Sequence, residues 1–344
     1  MTRKSCRWIL FGTIVLVATL QRIAVADSPE MSMRDFASNQ IKKGVRSLGL
    51  GGDGATWGNY ALVWRDAGTA IADYGDTSYS NGNDFHFVAL GATSPSLWHK
   101  LAFYLVALNQ DTNQLRFNLK SPGLGPGATP TSGNGADHAL FSKIALPLGH
   151  GFSAGVLLSY ETSHFFGHSI GAPQNTVRYE TSWRPSGGFG LAWQPDRRWL
   201  FGVRVLLNND EEQRTDPQGV ARGLARSNEV RLGGSVSLWE GALFDVGGTR
   251  LHKQNAISRT QSLAYQPNIG FEQALFRRRL SLRFGVDETS PTAGLSARWG
   301  AFNVDLAYVR NLGRARGVEL FGARSDSIIA TFTLDYEALG KKPR

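Results

Sequence analysis

Four groups of residues have the types and spacing of known chemistry. Gly49-Leu50-Gly51-Gly52-Asp53-Gly54 satisfies the G-x-G-x-x-G spacing that cradles a dinucleotide pyrophosphate. That site needs a strand before the glycines and a helix after them. The flanking residues carry neither pattern, and tight backbone packing is the better reading of these glycines. Gly151-Phe152-Ser153-Ala154-Gly155 satisfies G-x-S-x-G, the elbow that presents a nucleophilic serine at a sharp strand-to-helix turn. Here an alternating apolar face, Phe152, Ala154, Val156, Leu158 and Tyr160, runs straight through the pattern, so Ser153 reads as an inward residue of a strand. His164 and His168 are four apart and on a helix would face one metal. They fall in a stretch expected to be a solvated outer loop. The fourth group is a set of charges, Arg204, Arg231, Arg283 and Arg298 with Glu272, Asp287, Asp305 and Asp335, each opposite the apolar face of its segment or on the equivalent face. No catalytic set, no cofactor and no metal site is expected; the charges are the candidate site, and their meaning depends on the elements that hold them.

Those elements are strands. Leu280, Leu282, Phe284 and Val286 share one face of their segment, while Ser281, Arg283, Gly285 and Asp287 share the other. The same split runs through Phe302–Val309, Ile328–Tyr336 and Trp199–Leu207. Side chains alternate sides along a strand, so each segment has one greasy and one polar or small face. A soluble β-sandwich shares that alternation. Three features favour a membrane barrel instead. The segments are long enough to cross a bilayer at a tilt. Short turns, such as those near Ser94-Pro95-Ser96, Pro147–His150, Glu240-Gly241 and Gly300-Ala301, alternate with longer polar stretches at 111–136, 164–177, 210–227 and 313–325. Trp98, Trp193, Trp199, Trp239 and Trp299 all sit beside short turns, as an interfacial girdle does. The expected fold is therefore all-β: a transmembrane antiparallel barrel of about fourteen strands over 70–337, with a tail at 338–344. Pro185 and Pro267 fall inside expected strands, and each predicts a bulge, a kink or a strand end.

The first residues read as an export signal. Arg3, Lys4 and Arg7 precede the apolar or small run 8–20, and Ala24-Val25-Ala26 supplies the small residues of a cleavage site, so residues 1–26 are expected to be removed before Asp27. Cys6 leaves with them, which excludes disulfides and cysteine-ligated metal from the mature chain. Removing Arg3, Lys4, Arg7 and Arg22 from the 37 basic residues leaves 33 against 28 acidic ones, a balance of +5. These basic residues are dispersed rather than striped, which argues against nucleic acid as a partner. Outer-membrane lipid of a Gram-negative cell is the expected surrounding.

Residues 27–69 are not strand-like. Ser47-Leu48-Gly49-Leu50-Gly51-Gly52-Asp53-Gly54, followed by Ala61-Leu62-Val63-Trp64-Arg65-Asp66-Ala67-Gly68-Thr69-Ala70, resembles the N-terminal signature of the long-chain fatty-acid transporter (FadL-like) superfamily. Arg65-Asp66 stand where that signature has Asn-Pro. The resemblance implies fourteen strands and an N-terminal segment folded inside the barrel as a hatch, here with Gly49, Gly51, Gly52, Gly54, Ala67 and Gly68. It also implies passive uptake of hydrophobic, fatty-acid-like small molecules. A barrel subunit of a secretion or envelope assembly, a general porin and a membrane esterase remain alternatives. With residues 27–69 available to fill the lumen, the inward charges are expected to pair with one another and with the hatch rather than to line a water path.

Overall fold

The computed structural model describes residues 45–50, 55–66, 68–79, 84–94, 102–120, 128–169, 172–181, 184–216, 219–255, 260–287, 290–311 and 325–339. Among these are fifteen strands in one antiparallel sheet. They are β1 (Thr69–Tyr79), β2 (Asp84–Thr93), β3 (Ala102–Lys120), β4 (Ala128–Gly149), β5 (Phe152–Ser169), β6 (Ala172–Thr181), β7 (Arg184–Trp193) and β8 (Trp199–Asp216). The remainder are β9 (Gly219–Trp239), β10 (Ala242–Asn255), β11 (Thr260–Leu275), β12 (Leu280–Asp287), β13 (Ser290–Trp299), β14 (Phe302–Asn311) and β15 (Ser325–Asp335). β1 pairs with both β2 and β15, and β4 pairs with both β3 and β5, so the ladder returns to its start and each strand has a partner on both sides. A ladder without edges leaves no backbone group unpaired toward lipid.

The wall has fourteen positions because β6 and β7 share one. Both pair with β5 and with β8, β6 with the outer parts and β7 with the parts near the short turns. Their registers differ by one residue. Glu180 faces His164 and Arg184 faces Glu161, so four steps of this strand oppose three of β5. The same excess appears against β8, where Thr181 faces Glu212 and Gly187 faces Leu207. One extra residue is the definition of a bulge. It precedes Pro185, whose nitrogen has no hydrogen to give to a ladder. Pro267 leaves its strand intact: it lies within β11, opposite Gly248 of β10.

Two expectations are corrected. The stretches 111–136, 164–177 and 210–227 are in large part strand: β4 has 22 residues and β9 has 21, far beyond the roughly ten that cross a bilayer. Antiparallel pairing satisfies the backbone whatever the side chains are, so hairpins continue past the apolar zone. His164 and His168 are therefore strand residues on the outer face of β5, about 13 Å apart at the rise of a strand, too far to share a metal. The inward face is also less polar than expected, because Phe87, Phe141, Leu157, Leu206 and Ile329 point into the ring and are buried.

The outward face explains the sequence alternation. Val88, Leu90, Leu158, Leu191, Phe284, Ile328 and Phe332 are all exposed large hydrophobics, and Leu232 is 57 % exposed. A water-soluble protein does not leave such a continuous surface open. On β9 the apolar run from Trp239 to Val230 covers about 30 Å of strand, or roughly 25 Å once tilted, the height of a barrel's lipid-facing band. At its lower end Trp193 stacks between Phe152 and Phe201, at 5.5 and 5.6 Å, and Trp199 lies 5.8 Å from Phe201. Trp239 and Trp299 are exposed at the same end; Trp98 lies outside the described residues.

Candidate functional site

Two pieces of the N-terminal segment sit inside the ring: helix α1 (Val45–Gly49) and the 3-10 helix Tyr60–Asp66. Glycines on the inner wall make room for them. A Cβ on Gly202 would overlap the Ala55 carbonyl, on Gly190 the Asn59 amide, on Gly155 the backbone of Tyr60, and on Gly270 the Leu50 carbonyl. Gly49 of α1 meets Gly294 of β13 in the same way, 3.2 Å from the position its Cβ would take. Any larger side chain at these wall positions would hold the inner segment off by at least a methyl group.

Polar groups fasten what the glycines admit. Asn59 Nδ2 donates to the carbonyls of Ala55, Leu191 and Val203 at 2.7, 2.9 and 3.1 Å, and its Oδ1 accepts from the Ala61 amide at 3.0 Å. Leu191 and Val203 face each other across β7 and β8, so one buried amide bridges two wall strands. Thr56 Oγ1 donates to Asp245 Oδ1 at 2.8 Å, and Thr292 Oγ1 donates to the Gly49 carbonyl at 3.2 Å.

Charge forms two clusters. In the first, Glu229 accepts from Arg204 Nη2 at 2.8 Å and from Arg231 Nε and Nη2 at 2.5 and 2.9 Å, with all three side chains buried. Arg204 also lies over the Tyr60 ring, 5.2 Å from its centroid. Burial pushes the Tyr60 phenol up to about 12, against the opposing pull of Arg204, so Tyr60 is neutral at any physiological pH. In the second cluster Glu272 accepts from Arg46 of α1 at 3.0 and 2.6 Å and from Arg283 Nε at 2.7 Å. Arg283 Nη1 reaches Asp305 Oδ1 at 2.8 Å, and Asp305 also accepts from Asn303. Arg46 stacks on Trp57, 3.8 Å from the ring centroid. The second cluster thus ties the inner segment to three wall strands by charge.

No protein-family model and no curated protein sequence matches this chain. Solved structures do. The Pseudomonas putida toluene transporter TodX superimposes with a TM-score of 0.54 at 10 % identity, over 85 % of this chain and 98 % of that one. A Pseudomonas aeruginosa FadL homologue gives 0.51 at 12 % identity, over 86 % and 98 %. The CymD monoaromatic hydrocarbon channel gives 0.52 at 12 % identity, over 84 % and 96 %. The fold is that of the FadL-type barrels.

Within this FadL-type barrel the eight charged candidates divide. Arg204 and Arg231 meet on Glu229, and Glu272, Arg283 and Asp305 form a chain of ion pairs that begins at Arg46. Asp287, Arg298 and Asp335 share the inward parity but join neither cluster. Asp287 is half-buried at the far end of β12, and Arg298 is exposed beside a short turn. Asp335 Oδ1 accepts from the Ala338 amide at 2.8 Å and caps helix α2 (Tyr336–Leu339). Gly68, at φ 77°, turns the chain into β1, its amide on the Ser94 carbonyl and its carbonyl on the Tyr336 amide. Gly51, Gly52, Gly54 and Ala67 lie outside the described residues. Sequence reasoning missed Arg46, Asn59, Tyr60, Glu229 and the wall glycines. One signal was available: Ser186, Gly188, Gly190 and Ala192 make the inward face of β7 small throughout, and a strand face without side chains marks close approach of another backbone.

Proposed function

We propose that the protein is an outer-membrane channel for passive uptake of hydrophobic small molecules. One observation carries this reading. Inside the ring, Phe87, Phe141, Leu157, Leu206 and Ile329 of the wall form a single apolar cluster with Leu48 and Tyr60 of the inner segment. A hydrophilic pore has no use for such a layer, which repels water and ions and favours apolar solutes. The central charges, moreover, are spent on one another and on Arg46 instead of standing along a water path. The shared fold with TodX, a toluene transporter, and CymD, a monoaromatic hydrocarbon channel, supports the same reading.

Mechanistically, a solute entering from the outer side meets the apolar layer, which the inner segment itself completes with Leu48 and Tyr60. Passage requires that segment to move, or the solute to leave through the wall. Between Thr181 and Arg184 the register against β5 shifts by one residue, at the height of this layer's outer boundary. Expression in a host lacking its own hydrocarbon channels tests the proposal. Entry of labelled toluene is expected to rise severalfold over the empty host, and Leu206→Glu, which puts a charge into the layer, is expected to return it to background. Background entry through a correctly assembled wild-type barrel would refute it.

A further inference from the structure

One step outward from the apolar layer the lumen changes character. Leu157, Gly188 and Leu206 share a level across β5, β7 and β8. The next inward residues on those strands are Ser159, Ser186 and Asn208, with Ser159 directly opposite Ser186. All three are at least nine-tenths buried, at 2, 5 and 6 % exposure. Ser159 Oγ, Ser186 Oγ and Asn208 Oδ1 have no hydrogen-bond partner among the described residues, and neither has the Tyr60 hydroxyl, whose ring lies against Gly188. Buried polar atoms are rarely left unsatisfied, and several in one place, beside a bulge, mark a functional position.

We infer that Ser159, Ser186 and Asn208, with the Tyr60 hydroxyl, form a binding site for an uncharged hydrogen-bonding group, a hydroxyl or carbonyl, carried on an otherwise hydrophobic molecule. The inference rests on the uptake reading above and narrows its substrate class. The apolar part of the ligand lies against Leu157 and Leu206, and its polar end meets the hydroxyl and amide groups one level outward. A carboxylate is a poorer occupant. The guanidiniums of Arg204 and Arg231 are both held by Glu229, and Glu161, also buried, is the next inward residue beyond Ser159, so a carboxylate would add like charge beside Glu161; a further cation, Lys143, lies over the Tyr60 ring at 5.8 Å from its centroid.

Binding of radiolabelled benzyl alcohol, toluene and benzoate to the full mature chain in lipid nanodiscs, with empty nanodiscs subtracted, tests this. Benzyl alcohol is expected to bind roughly tenfold more tightly than toluene, the effect of one buried hydrogen bond, and more tightly than benzoate. The variant Ser159→Ala/Ser186→Ala/Asn208→Leu is expected to bind toluene as the wild type does and to lose the advantage of the alcohol. If that variant fails to give the heat-shifted band of an assembled barrel, Ser186→Ala alone carries the comparison. Equal binding of alcohol and toluene, tightest binding of benzoate, or an alcohol advantage that survives the substitutions would overturn the site while leaving the uptake reading in place. Binding of none of the three would overturn both.

Discussion

At the scale of single residues the interior is held by two kinds of contact that respond oppositely to mutation. Where the inner segment meets glycine, there is no space to give. Gly202→Val is expected to lift residues 55–59 from the wall, since even a methyl group would overlap the Ala55 carbonyl, at a cost of about 1–3 kcal/mol for overpacking. The check is limited proteolysis: cleavage within the inner segment should accelerate while the barrel keeps its heat-shifted band. Where the contact is charged, the pairing is what matters. Glu229→Gln leaves Arg204 and Arg231 buried without the carboxylate charge they share, and an uncompensated buried charge of this kind costs on the order of 3–5 kcal/mol. The midpoint of urea unfolding in lipid vesicles should fall accordingly. Replacing all three with apolar residues of similar volume should recover most of that loss, because the desolvation of the charges disappears with them.

At the scale of elements, each strand faces different solvents along its length. Leu232 and Val220 lie on the same outward face of β9, one within the apolar band and one near its far end. Leu232→Arg is expected to destabilise the barrel by about 2–4 kcal/mol, whereas Val220→Arg should change it by less than about 1 kcal/mol. The same unfolding measurement on the two variants locates the bilayer along the strand, and equal effects would show that the band has been misplaced. The alternation of Leu280 to Asp287 or Phe302 to Val309 was readable directly, since a period of two admits no other element. The ends were not. Polar stretches such as 210–227 lack a greasy face, and only the pairing of β8 with β9 makes them strands. The bulge at the sixth wall position was legible only as a disturbance near Pro185, because a bulge is a mismatch between neighbours and exists in no single strand.

At the scale of the whole molecule, closure of the ladder and occupation of its lumen are separate facts, and they can be separated by experiment. Deletion of residues 27–66 should leave a barrel that assembles, since β1 begins at Thr69 and its pairing with β15 spans that strand to Tyr79. Its conductance in a planar bilayer is expected to rise severalfold over the intact protein, and an unchanged conductance would mean that the inner segment does not obstruct the path. The sequence by itself determined the cores of the strands, their two faces, their approximate number and the side that meets lipid, because each of these follows from the local periodicity of apolar residues and from turn residues. It also marked the charged residues of the inward face. Tertiary structure alone decided which of those charges meet, that Glu229 rather than a wall aspartate gathers Arg204 and Arg231, and that an apolar layer crosses the lumen. It decided as well that Asn59 and a set of glycines seat the inner segment. The contacts that seat the inner segment join residues more than a hundred positions apart, from Arg46 to Glu272 and from Asn59 to Leu191, and they are set by the stagger of strands around a closed ring, which no local pattern encodes.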